Sequence, residues 1–540
     1  MLKIHESEMS VFEGYRHVMS SAVREAYRAG EEDETLKPLI LCDRQGRPVG
    51  RIHKGDSLIF YNIRGEREIE LTRSLVERGF QEFPVEEELG LSVSTMIEYH
   101  KALPVGVAFP PGKRADNTLS DILAAHGLRQ AKITEAEKAV HVTFYLNGKK
   151  TQPLPGEERI IVPTRKDVAL FDEAPEMSII DVTKAAQEKI TDNDCDVVFV
   201  NLPNVDVVAH IENEQAVIRA IEVVDKAAGQ LVEAAQAAGM MVILTADHGT
   251  AEKWFYPDGA VDTGHTDSPV PFVLISNKHD LSLRPEGELA DIAPTVLDLL
   301  GISCPTAMTG RTLLAGKSFK TIARPRLLFV ILDGWGLNEM ETGNLIARAK
   351  TPVMDRLRQC CPHARLTASG EAVGLPPGTV GNSEVGHLHI GAGRRIWSDR
   401  LRIDRAIADG SFFDKDAFLE PIRAVRDTGR FLHLMGIVSF FSSHGSVNHL
   451  LALMDLAKRE GLRDVFIHAM LGRRGEQPDS GANYIEMIER KTEEIGVGRV
   501  VSVIGRYWSM DREENWDRIQ KTYRMLIYGE GTPIVERSVS

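Results

Sequence analysis

The sequence predicts an α/β protein of two domains with mostly parallel sheets. At 540 residues the chain is longer than one hydrophobic core supports, so at least two domains are expected. Continuous apolar runs of strand length are typical of strands that are buried on both faces in parallel sheets. Six such runs, each followed at once by polar residues, begin the segments 195–210, 240–252, 327–336, 431–445, 464–476 and 500–512.

The segment between the first two runs predicts a connecting helix. Residues 213–239, NEQAVIRAIEVVDKAAGQLVEAAQAAG, carry apolar side chains at helical spacing and end on a glycine. A strand, this helix and the next strand make a βαβ unit. Because ligands bind outside the carboxyl ends of strands in such sheets, the polar clusters after the runs are expected to form the site. One cluster alone is more typical of an ordinary loop, but six recurrences favour a site.

Composition excludes several classes of protein. A formal charge of -14 argues against nucleic acid as a partner, since a nucleic-acid-binding surface is basic. The five cysteines form no CxxC pair, which argues against a disulfide framework or a zinc finger and favours a reducing compartment. The first residues lack the apolar core of a secretory signal, and no run approaches the roughly 18 apolar residues that cross a bilayer. We therefore expect a cytoplasmic protein with no membrane partner.

Carboxylate and imidazole residues cluster at the predicted strand ends. Asp206 and His210 are four positions apart, so both lie on one face if a helix begins there. Ligands of these types without thiolate suit Mn²⁺, Mg²⁺ or Zn²⁺. Each pair alone is also typical of a surface ion pair or a turn, and their joint occurrence favours a metal site. The candidate ligands are Asp206, His210, Asp247, His248, His265 and Asp333.

Ser383 lies in a glycine-rich loop, GTVGNSEVGHLHIGAG, at residues 378–393. Two divalent ions a few ångströms apart form a clamp for in-line displacement at phosphorus, and a metal-activated serine hydroxyl is a suitable nucleophile there. The alternative is a turn in which Ser383 is the N-cap of a helix. The candidate metal ligands favour the nucleophile.

The motifs together resemble those of cofactor-independent phosphoglycerate mutase, a family of the alkaline phosphatase superfamily. The resemblance covers nearly the whole chain, and the combination is highly specific. The matching segments are DGWG, GNSEVGH, GAGR, EAEKAVHVTFYLNG, PEMS, TADHGTAE, LADIAPTVLDLLG and GRYWSMDREENWDR.

The order of these motifs differs from that of the family and resembles a circular permutation. The family chain opens with the DGWG strand, which here begins near Leu327. The positions that correspond to the two ends of the family chain are joined here through LLAGKSFKTIARPR. The resemblance implies an alkaline-phosphatase-like α/β sandwich with a central, mostly parallel sheet and a second, transferase-like α/β domain. The expected phosphatase-like domain spans 118–398. The expected transferase-like domain is split between 1–117 and 399–540.

The resemblance also implies two divalent ions and their ligands. One ion would be held by Asp206, His210 and His265. The other would be held by Asp247, His248, Asp333 and Ser383, with Ser383 as the phosphorylated nucleophile. Mn²⁺ is the expected metal, with Mg²⁺, Co²⁺ or Zn²⁺ as alternatives. Lys138 would neutralise phosphoryl charge.

Substrate-handling residues are implied in the split domain. Arginine suits this task because its planar fork binds oxyanions in bidentate fashion, although each of these arginines alone is typical of a surface residue. His444 matches a family histidine close to the transferring phosphate. The expected binding and catalytic residues here are Arg64, Arg67, His444, Arg474, Arg506 and Arg512.

The split domain departs from the family pattern at three places. Where the family reads close to SDGGVHSH, this chain has SFFSSHGS at 439–446, so Phe440, Phe441 and Ser442 replace Asp-Gly-Gly. LGRRG replaces LDGRD at 471–475, which keeps Arg474 but substitutes Gly472 and Gly475 for two aspartates. The second aspartate is the family's base toward the accepting hydroxyl.

These departures affect how the substrate is handled. Gly475 cannot accept a proton, and Glu476 is its nearest substitute in the sequence, although a shift of one residue can misplace a base. Glu66 of NIRGER replaces a further aspartate.

Three enzyme functions are compatible with this pattern. The first is interconversion of 3-phosphoglycerate and 2-phosphoglycerate through phospho-Ser383. The second is transfer of a phosphoryl or carboxyphosphono group on a related glycerate-like substrate in phosphonate natural-product biosynthesis, which the missing aspartates favour. The third is a metal-dependent phosphatase. In each case the partner is a small phosphorylated carboxylate, and the resemblance implies a monomer whose domains close on it.

Overall fold

The computed structural model describes residues 17–87, 89–112, 115–256, 258–276, 281–316, 326–440, 442–472 and 480–535. The chain forms two compact units. The central unit comprises residues 113–398, and the split unit comprises residues 1–112 together with 399–540. Each unit has its own hydrophobic core.

The strands in the described ranges build one sheet in each unit. In chain order they are β1 (Leu39–Cys42), β2 (Ser57–Phe60), β3 (Ser92–Ile97), β4 (Gly106–Phe109), β5 (Gln130–Glu135), β6 (Glu157–Val162), β7 (Val197–Leu202), β8 (Met241–Thr245), β9 (Val270–Ile275), β10 (Glu286–Glu288), β11 (Leu327–Leu332), β12 (His363–Thr367), β13 (Leu432–Ile437), β14 (Val465–Leu471), β15 (Arg499–Gly505) and β16 (Thr532–Val535).

The helices in the described ranges connect these strands. In chain order they are α1 (Val18–Arg28), α2 (Ile69–Val76), α3 (Leu119–Ala125), α4 (Ile179–Thr191), α5 (Asn204–Ala209), α6 (Glu214–Ala237), α7 (Ile292–Leu299), α8 (Leu345–Arg348), α9 (Pro352–Cys360), α10 (Ser383–Ala392), α11 (Asp399–Asp409), α12 (Asp416–Thr428), α13 (Val447–Arg459), α14 (Ser480–Ile495), α15 (Arg506–Ser509) and α16 (Trp516–Tyr528). None of them is both long enough and apolar enough to cross a bilayer.

The central unit contains an eight-stranded sheet in the order β10-β12-β9-β8-β11-β7-β5-β6. The strands from β8 to β6 run parallel, while β9 is antiparallel to both β8 and β12. Strands β7, β8, β9 and β11 are buried along their whole length, as continuous apolar runs predict. The helix predicted at 213–239 is α6, which begins with Asn213 as its N-cap.

The split unit contains a second eight-stranded sheet in the order β16-β1-β15-β14-β13-β2-β3-β4. All neighbouring strands are parallel except β1 and β15. The two sheets confirm the predicted α/β fold with mostly parallel strands. Because β15, β14, β13 and β2 are parallel neighbours, the residues that follow them lie along one edge of the sheet.

Candidate functional site

The carboxyl ends of four parallel strands carry the predicted metal-site residues of the central unit. Lys138 follows β5, Asp206 follows β7, Asp247 follows β8, and Asp333 comes directly after β11. His265 precedes β9, which is antiparallel to β8 and therefore begins at the same edge. The sheet thus brings together residues that are far apart in the sequence.

Ser383 is the first residue of α10. The residue before it, Asn382, is the N-cap, and its side chain accepts a hydrogen bond from the Val385 amide at 3.1 Å. The alternative interpretation of Ser383 as the N-cap is therefore wrong. The Ser383 hydroxyl is buried and lies 2.5 Å from Lys138 Nζ and 2.9 Å from His248 Nε2. It faces the cluster of charged side chains.

Lys138 is buried between two carboxylates. Its ammonium donates to Asp206 Oδ2 at 2.6 Å and to Asp333 Oδ1 at 2.8 Å, in addition to its contact with Ser383. A buried ammonium is tolerated only where charges of opposite sign compensate the lost hydration. Lys138 therefore supplies a fixed positive charge beside the serine oxygen.

Three histidines present the same nitrogen toward the cluster. The Nδ1 atoms of His210, His248 and His265 lie 2.8, 3.2 and 3.0 Å from the backbone carbonyls of Thr263, Gly249 and Gly381. A carbonyl only accepts, so when each ring is neutral its Nδ1 carries the proton and its Nε2 has the lone pair. The Nε2 atoms lie 3.5, 3.5 and 3.2 Å from Asp206 Oδ1. The hydrogen bond from Nδ1 to a backbone carbonyl is the usual way in which a metal-binding histidine is oriented.

Charge compensation outweighs burial at the three carboxylates. Burial opposes ionisation of Asp206, but the Lys138 ammonium overcomes it and holds the pKa of Asp206 well below its ordinary value. Burial is likewise overcome at Asp247, chiefly by His248, and at Asp333, chiefly by Lys138, so the pKa of each is lowered. All three carboxylates are therefore anionic.

The same charges act on the bases. Burial lowers the pKa of His248, but the Asp247 and Asp206 carboxylates outweigh it and raise that pKa to about 10. Burial also opposes the charge of Lys138, yet Asp333 and Asp206 raise its pKa. The site thus attracts positive charge strongly.

The donor set fits divalent cations. Three buried carboxylates face one lysine, so the permanent charges of these four groups sum to net negative. Among the described residues, Asp247 Oδ2 and His265 Nε2 are buried and make no hydrogen bond of acceptable geometry, although His387 Nδ1 lies 3.1 Å from the first and Asp206 Oδ1 lies 3.2 Å from the second. Both atoms are of types that bind metal ions. These unpaired atoms are explained if they bind a cation.

The described residues form two candidate ligand groups here. One contains Asp206, His248 and His265, and the other contains Asp247, Asp333 and His387. His248 Nε2 lies 3.5 Å from Asp333 Oδ1 and 3.6 Å from Asp247 Oδ2, so it also faces the second group. His210 is in neither group, and 46% of its side chain is exposed. The protein therefore carries divalent-cation ligands, while the assignment of each ligand to an ion stays a prediction.

Two glycines allow the close approach that the cluster requires. A Cβ at Gly334, whose φ is +82°, would lie 2.8 Å from the Asp206 amide nitrogen. A Cβ at Gly386 would lie 2.6 Å from the Asp247 carbonyl oxygen. Any side chain at these positions would push apart the elements that hold Asp206 and Asp247.

Sequence reasoning missed Asn201 and His387. Asn201 donates to Asp333 Oδ2 at 2.8 Å and lies 3.1 Å from His387 Nε2. His387 Nδ1 lies 3.1 Å from Asp247 Oδ2. Two signals pointed to them: Asn201 is the polar residue in the apolar strand VVFVNL, and His387 follows Ser383 by one helical turn.

The residues after β2, β13 and β15 form the predicted substrate-handling region of the split unit. Arg64 Nη2 and Arg512 Nη1 each lie 3.2 Å from Glu66 Oε1, so one glutamate pairs with both arginines. Arg67 donates to the Met510 carbonyl at 3.2 Å. The structure therefore brings these three arginines into one neighbourhood. Arg506 begins α15 and is buried.

The substituted positions make specific contacts in the split unit. A Cβ at Gly472 would lie 2.4 Å from Arg506 Cδ, so the aspartate expected from the resemblance is incompatible with this position of Arg506. Phe440 packs edge-on against Tyr484, with ring centroids 5.5 Å apart. The described residues do not include Phe441, Arg474, Gly475 or Glu476.

Two family models match this chain. The model described as the Metalloenzyme superfamily matches residues 17–304, and the model described as the BPG-independent PGAM N-terminus matches residues 403–539. A model named for an N-terminus thus matches the carboxyl-terminal part of this chain, in agreement with the predicted permuted order.

Curated relatives match parts of the chain. It is 39% identical over 296 residues to the 2,3-bisphosphoglycerate-independent phosphoglycerate mutase of Moorella thermoacetica, covering 55% of this chain and 57% of that protein. It is 48% identical over 205 residues to the protein of the same name from Desulforudis audaxviator, covering 38% and 40%. The chain thus spans about half the length of the curated relatives it matches. A crystal structure of Leishmania mexicana phosphoglycerate mutase at low cobalt concentration aligns with 51% of this chain and 53% of that chain, at 29% identity and a TM-score of 0.37.

Proposed function

The chain belongs to the Metalloenzyme superfamily, and we propose that it is a metal-dependent phosphotransferase that interconverts 3-phosphoglycerate and 2-phosphoglycerate. The observation that carries this proposal is the position of the Ser383 hydroxyl, which lies within hydrogen-bond distance of Lys138 and His248. The relatives named phosphoglycerate mutase support the same substrate class.

Ser383 is the proposed nucleophile. Its oxygen attacks the phosphorus of the substrate, the ester bond to the substrate oxygen breaks, and the phosphoryl group rests on the serine until the second hydroxyl accepts it. The Lys138 ammonium, held by Asp206 and Asp333, is placed to compensate negative charge on the serine oxygen and on the phosphoryl group. Ser383 also lies at the start of α10, where it is exposed to the positive end of the helix dipole.

Two divalent ions complete the proposed site. One ion would be held by Asp206, His210 and His265. The other would be held by Asp247, His248, Asp333 and Ser383. Bound there, the ions would lower the pKa of the serine hydroxyl and neutralise phosphoryl oxygens. We propose Mn²⁺ as the metal, because carboxylate and imidazole ligands without thiolate suit it.

The arginines of the split unit are proposed to bind the anionic groups of the substrate. Arg64 and Arg512 share Glu66, and a bound phosphate or carboxylate would compete with that glutamate for both guanidinium groups. Arg67, Arg474 and Arg506 complete the proposed set. His444, which matches a family histidine close to the transferring phosphate, is proposed to bind near the phosphoryl group.

A second candidate function is supported by one contact. Because Arg506 lies where an aspartate at position 472 would project, this part of the site differs from that of a phosphoglycerate mutase with aspartate there. Transfer of a phosphoryl or carboxyphosphono group on a related glycerate-like substrate is therefore the alternative.

One assay separates these functions. The purified protein is incubated with Mn²⁺ and 3-phosphoglycerate and followed by ³¹P NMR. Appearance of 2-phosphoglycerate supports the proposal, release of free phosphate indicates a phosphatase, and no conversion by a metal-loaded protein favours the alternative substrate. Ser383→Ala is expected to abolish turnover in every case, and activity that survives this change would refute the nucleophile.

A further inference from the structure

Two adjacent cysteines of the central unit bring their sulfurs into contact. Cys360 is the last residue of α9 and is exposed, and Cys361 is the C-cap of that helix and is half-buried. Their Sγ atoms lie 3.6 Å apart, so one thiol donates to the other. Within a helix, consecutive side chains point about 100° apart and do not meet. These two meet because Cys361 has left the helix, with a φ of -116° and a ψ of 150°.

The backbone holds the pair in place. The Cys361 amide donates to the Leu357 carbonyl at 2.9 Å and closes the last turn of the helix. The Leu274 amide of β9 donates to the Pro362 carbonyl at 2.9 Å, so the residue after the pair is tied to the sheet. The side chain of Cys361 also packs against the core of the central unit. The two sulfurs are therefore presented on an ordered turn between α9 and β12.

The pair lies at the edge of the sheet opposite to the Ser383 hydroxyl. Strand β9 begins at the edge where the metal-site residues lie, and it is antiparallel to β12. Val273, in the second half of β9, pairs with His363, the first residue of β12. Cys361 comes just before β12 and therefore lies beyond the far end of both strands. A ligand bound here would be separate from the proposed metal ions.

The geometry of the pair disfavours a direct disulfide. The peptide bond between the two cysteines is trans, so their Cα atoms lie about 3.8 Å apart, whereas disulfides usually join Cα atoms roughly 4.4–6.8 Å apart. Burial and the neighbouring Cys360 raise the pKa of Cys361 to about 11, so at neutral pH this sulfur is a thiol and not the thiolate that oxidants attack. The pair is better suited to hold a third atom between its sulfurs.

The spacing of the sulfurs fits an atom that binds both at a bent angle. Bonds of about 2.3 Å, as in a zinc thiolate, span 3.6 Å when the angle at the bridging atom is about 103°. A linear two-coordinate ion would need sulfurs about 4.6 Å apart. The spacing therefore excludes linear coordination and fits trivalent arsenic or a tetrahedral ion.

The number of ligands distinguishes these two possibilities. Zinc sites take three or four protein ligands, and the candidate three-ligand groups of the described residues do not include this pair. The nearest histidine in the sequence, His363, directs its Nδ1 to the Cys361 carbonyl at 3.2 Å. An arsenic atom that carries one organic group has two positions left, and two sulfurs fill them.

We propose that Cys360 and Cys361 form a binding site for monosubstituted trivalent arsenicals, with both sulfurs bonded to one arsenic atom. Each thiol gives its proton to one hydroxide of R–As(OH)₂, two As–S bonds replace two As–O bonds, and two waters leave. Arsenic stays trivalent and sulfur keeps its oxidation state, so the step needs no oxidant. The site is independent of the proposed function.

Phenylarsine oxide is the probe that tests this site. The native protein is incubated with one equivalent, alkylated with iodoacetamide, and mapped by mass spectrometry of its peptides. We expect the arsenical to protect both Cys360 and Cys361, whereas Cys304, which is also exposed, is alkylated to the same extent with and without the probe. Protection of Cys304, or alkylation of the pair at the rate seen without the probe, would refute the site.

Single substitutions test whether both sulfurs are needed. Cys360→Ser and Cys361→Ser are each expected to lower the affinity for phenylarsine oxide at least about 100-fold in competition with a small dithiol, because the second As–S bond forms within one molecule. Cys304→Ser is the matched control and is expected to keep the affinity within about twofold. Full affinity in either variant of the pair would show that the arsenic is not held by both sulfurs.

Discussion

Single residues outside the predicted ligand set hold the metal-site carboxylates in place. Asn201 joins Asp333 to His387, and Thr134 Oγ1 in turn lies 3.3 Å from Asn201 Oδ1. Such partners orient ligands and tune their basicity, although they do not touch the metal. The position of each carboxylate therefore depends on neighbours that a list of ligands omits.

Replacing Asn201 is expected to weaken metal binding. Asn201→Ala removes the bond to Asp333 and the contact with His387, so we expect the affinity for Mn²⁺ to fall about 10- to 100-fold in a calorimetric titration. Asn204→Ala is the matched control, because Asn204 lies just after β7, the strand that contains Asn201, but donates to the Pro175 carbonyl instead. Equal affinities for the two variants would contradict this role of Asn201.

A side chain at position 472 is expected to weaken substrate binding. The new methyl group of Gly472→Ala would lie 2.4 Å from Arg506 Cδ, so the arginine must move. We expect KM for the phosphorylated carboxylate to rise about tenfold with a smaller effect on kcat, as measured in steady-state assays. Gly112→Ala, where no atom lies within 4 Å of the new group, is the control. An unchanged KM would argue against Arg506 as a binding residue.

At the scale of elements, the sheet of the split unit contains a buried polar chain across neighbouring strands. His433 of β13 contacts His468 of β14 at 2.9 Å and Asp56, which precedes β2, at 3.2 Å. His468 contacts Ser502 of β15 at 2.8 Å. Buried polar groups must be satisfied, and here each strand supplies the partner of the next. This series of polar contacts links the strands whose carboxyl ends carry the proposed substrate-handling residues.

These two histidines are expected to make stability depend on pH. Burial lowers the pKa of both, most strongly for His468, whereas an unfolded histidine titrates near pH ~6.5. Below that pH the unfolded state binds more protons, so the free energy of unfolding falls as pH decreases, by up to about 1.4 kcal/mol per pH unit for each histidine.

Urea unfolding at a series of pH values between about 7 and 5 measures this slope. His468→Gln is expected to reduce the slope, because it removes the group with the more strongly lowered pKa. An unchanged slope would show that the two histidines do not cause the acid sensitivity.

At the scale of the molecule, the proposed metal ligands all belong to one of the two compact units. The central unit, residues 113–398, contains Asp206, His210, Asp247, His248, His265, Asp333 and Ser383. A ligand that binds only the folded state stabilises the unit that contains its site. The two units should therefore respond differently to metal removal.

Chelation by EDTA is expected to destabilise the central unit selectively. Hydrogen exchange followed by mass spectrometry should show faster exchange in peptides from β7, β8 and β11 after metal removal, because three buried carboxylates are then left near one lysine. Peptides from β13 and β14 serve as the internal control. Equal changes in both sets of peptides would contradict a metal site confined to the central unit.

Much of the fold and part of the site could be predicted from the sequence. The apolar runs of β7, β8, β11, β13, β14 and β15 predicted buried parallel strands, because burial on both faces imposes the same residue types along the whole strand. The polar residues after those runs were sound candidates for the site, because parallel strands place their carboxyl ends along one edge. The resemblance added the expected ligands and the permuted order.

Only the tertiary structure decided which partner each side chain meets. Asn382 rather than Ser383 caps α10, Asn201 reaches Asp333 over 132 positions of sequence, and Glu68 reaches His444 over 376. The sequence by itself determined the strands and the residue types at their ends, since local patterns encode burial. Contacts between distant segments depend on strand order and on close backbone approach, as at Gly386 and Gly472, and these are properties of the packed chain alone.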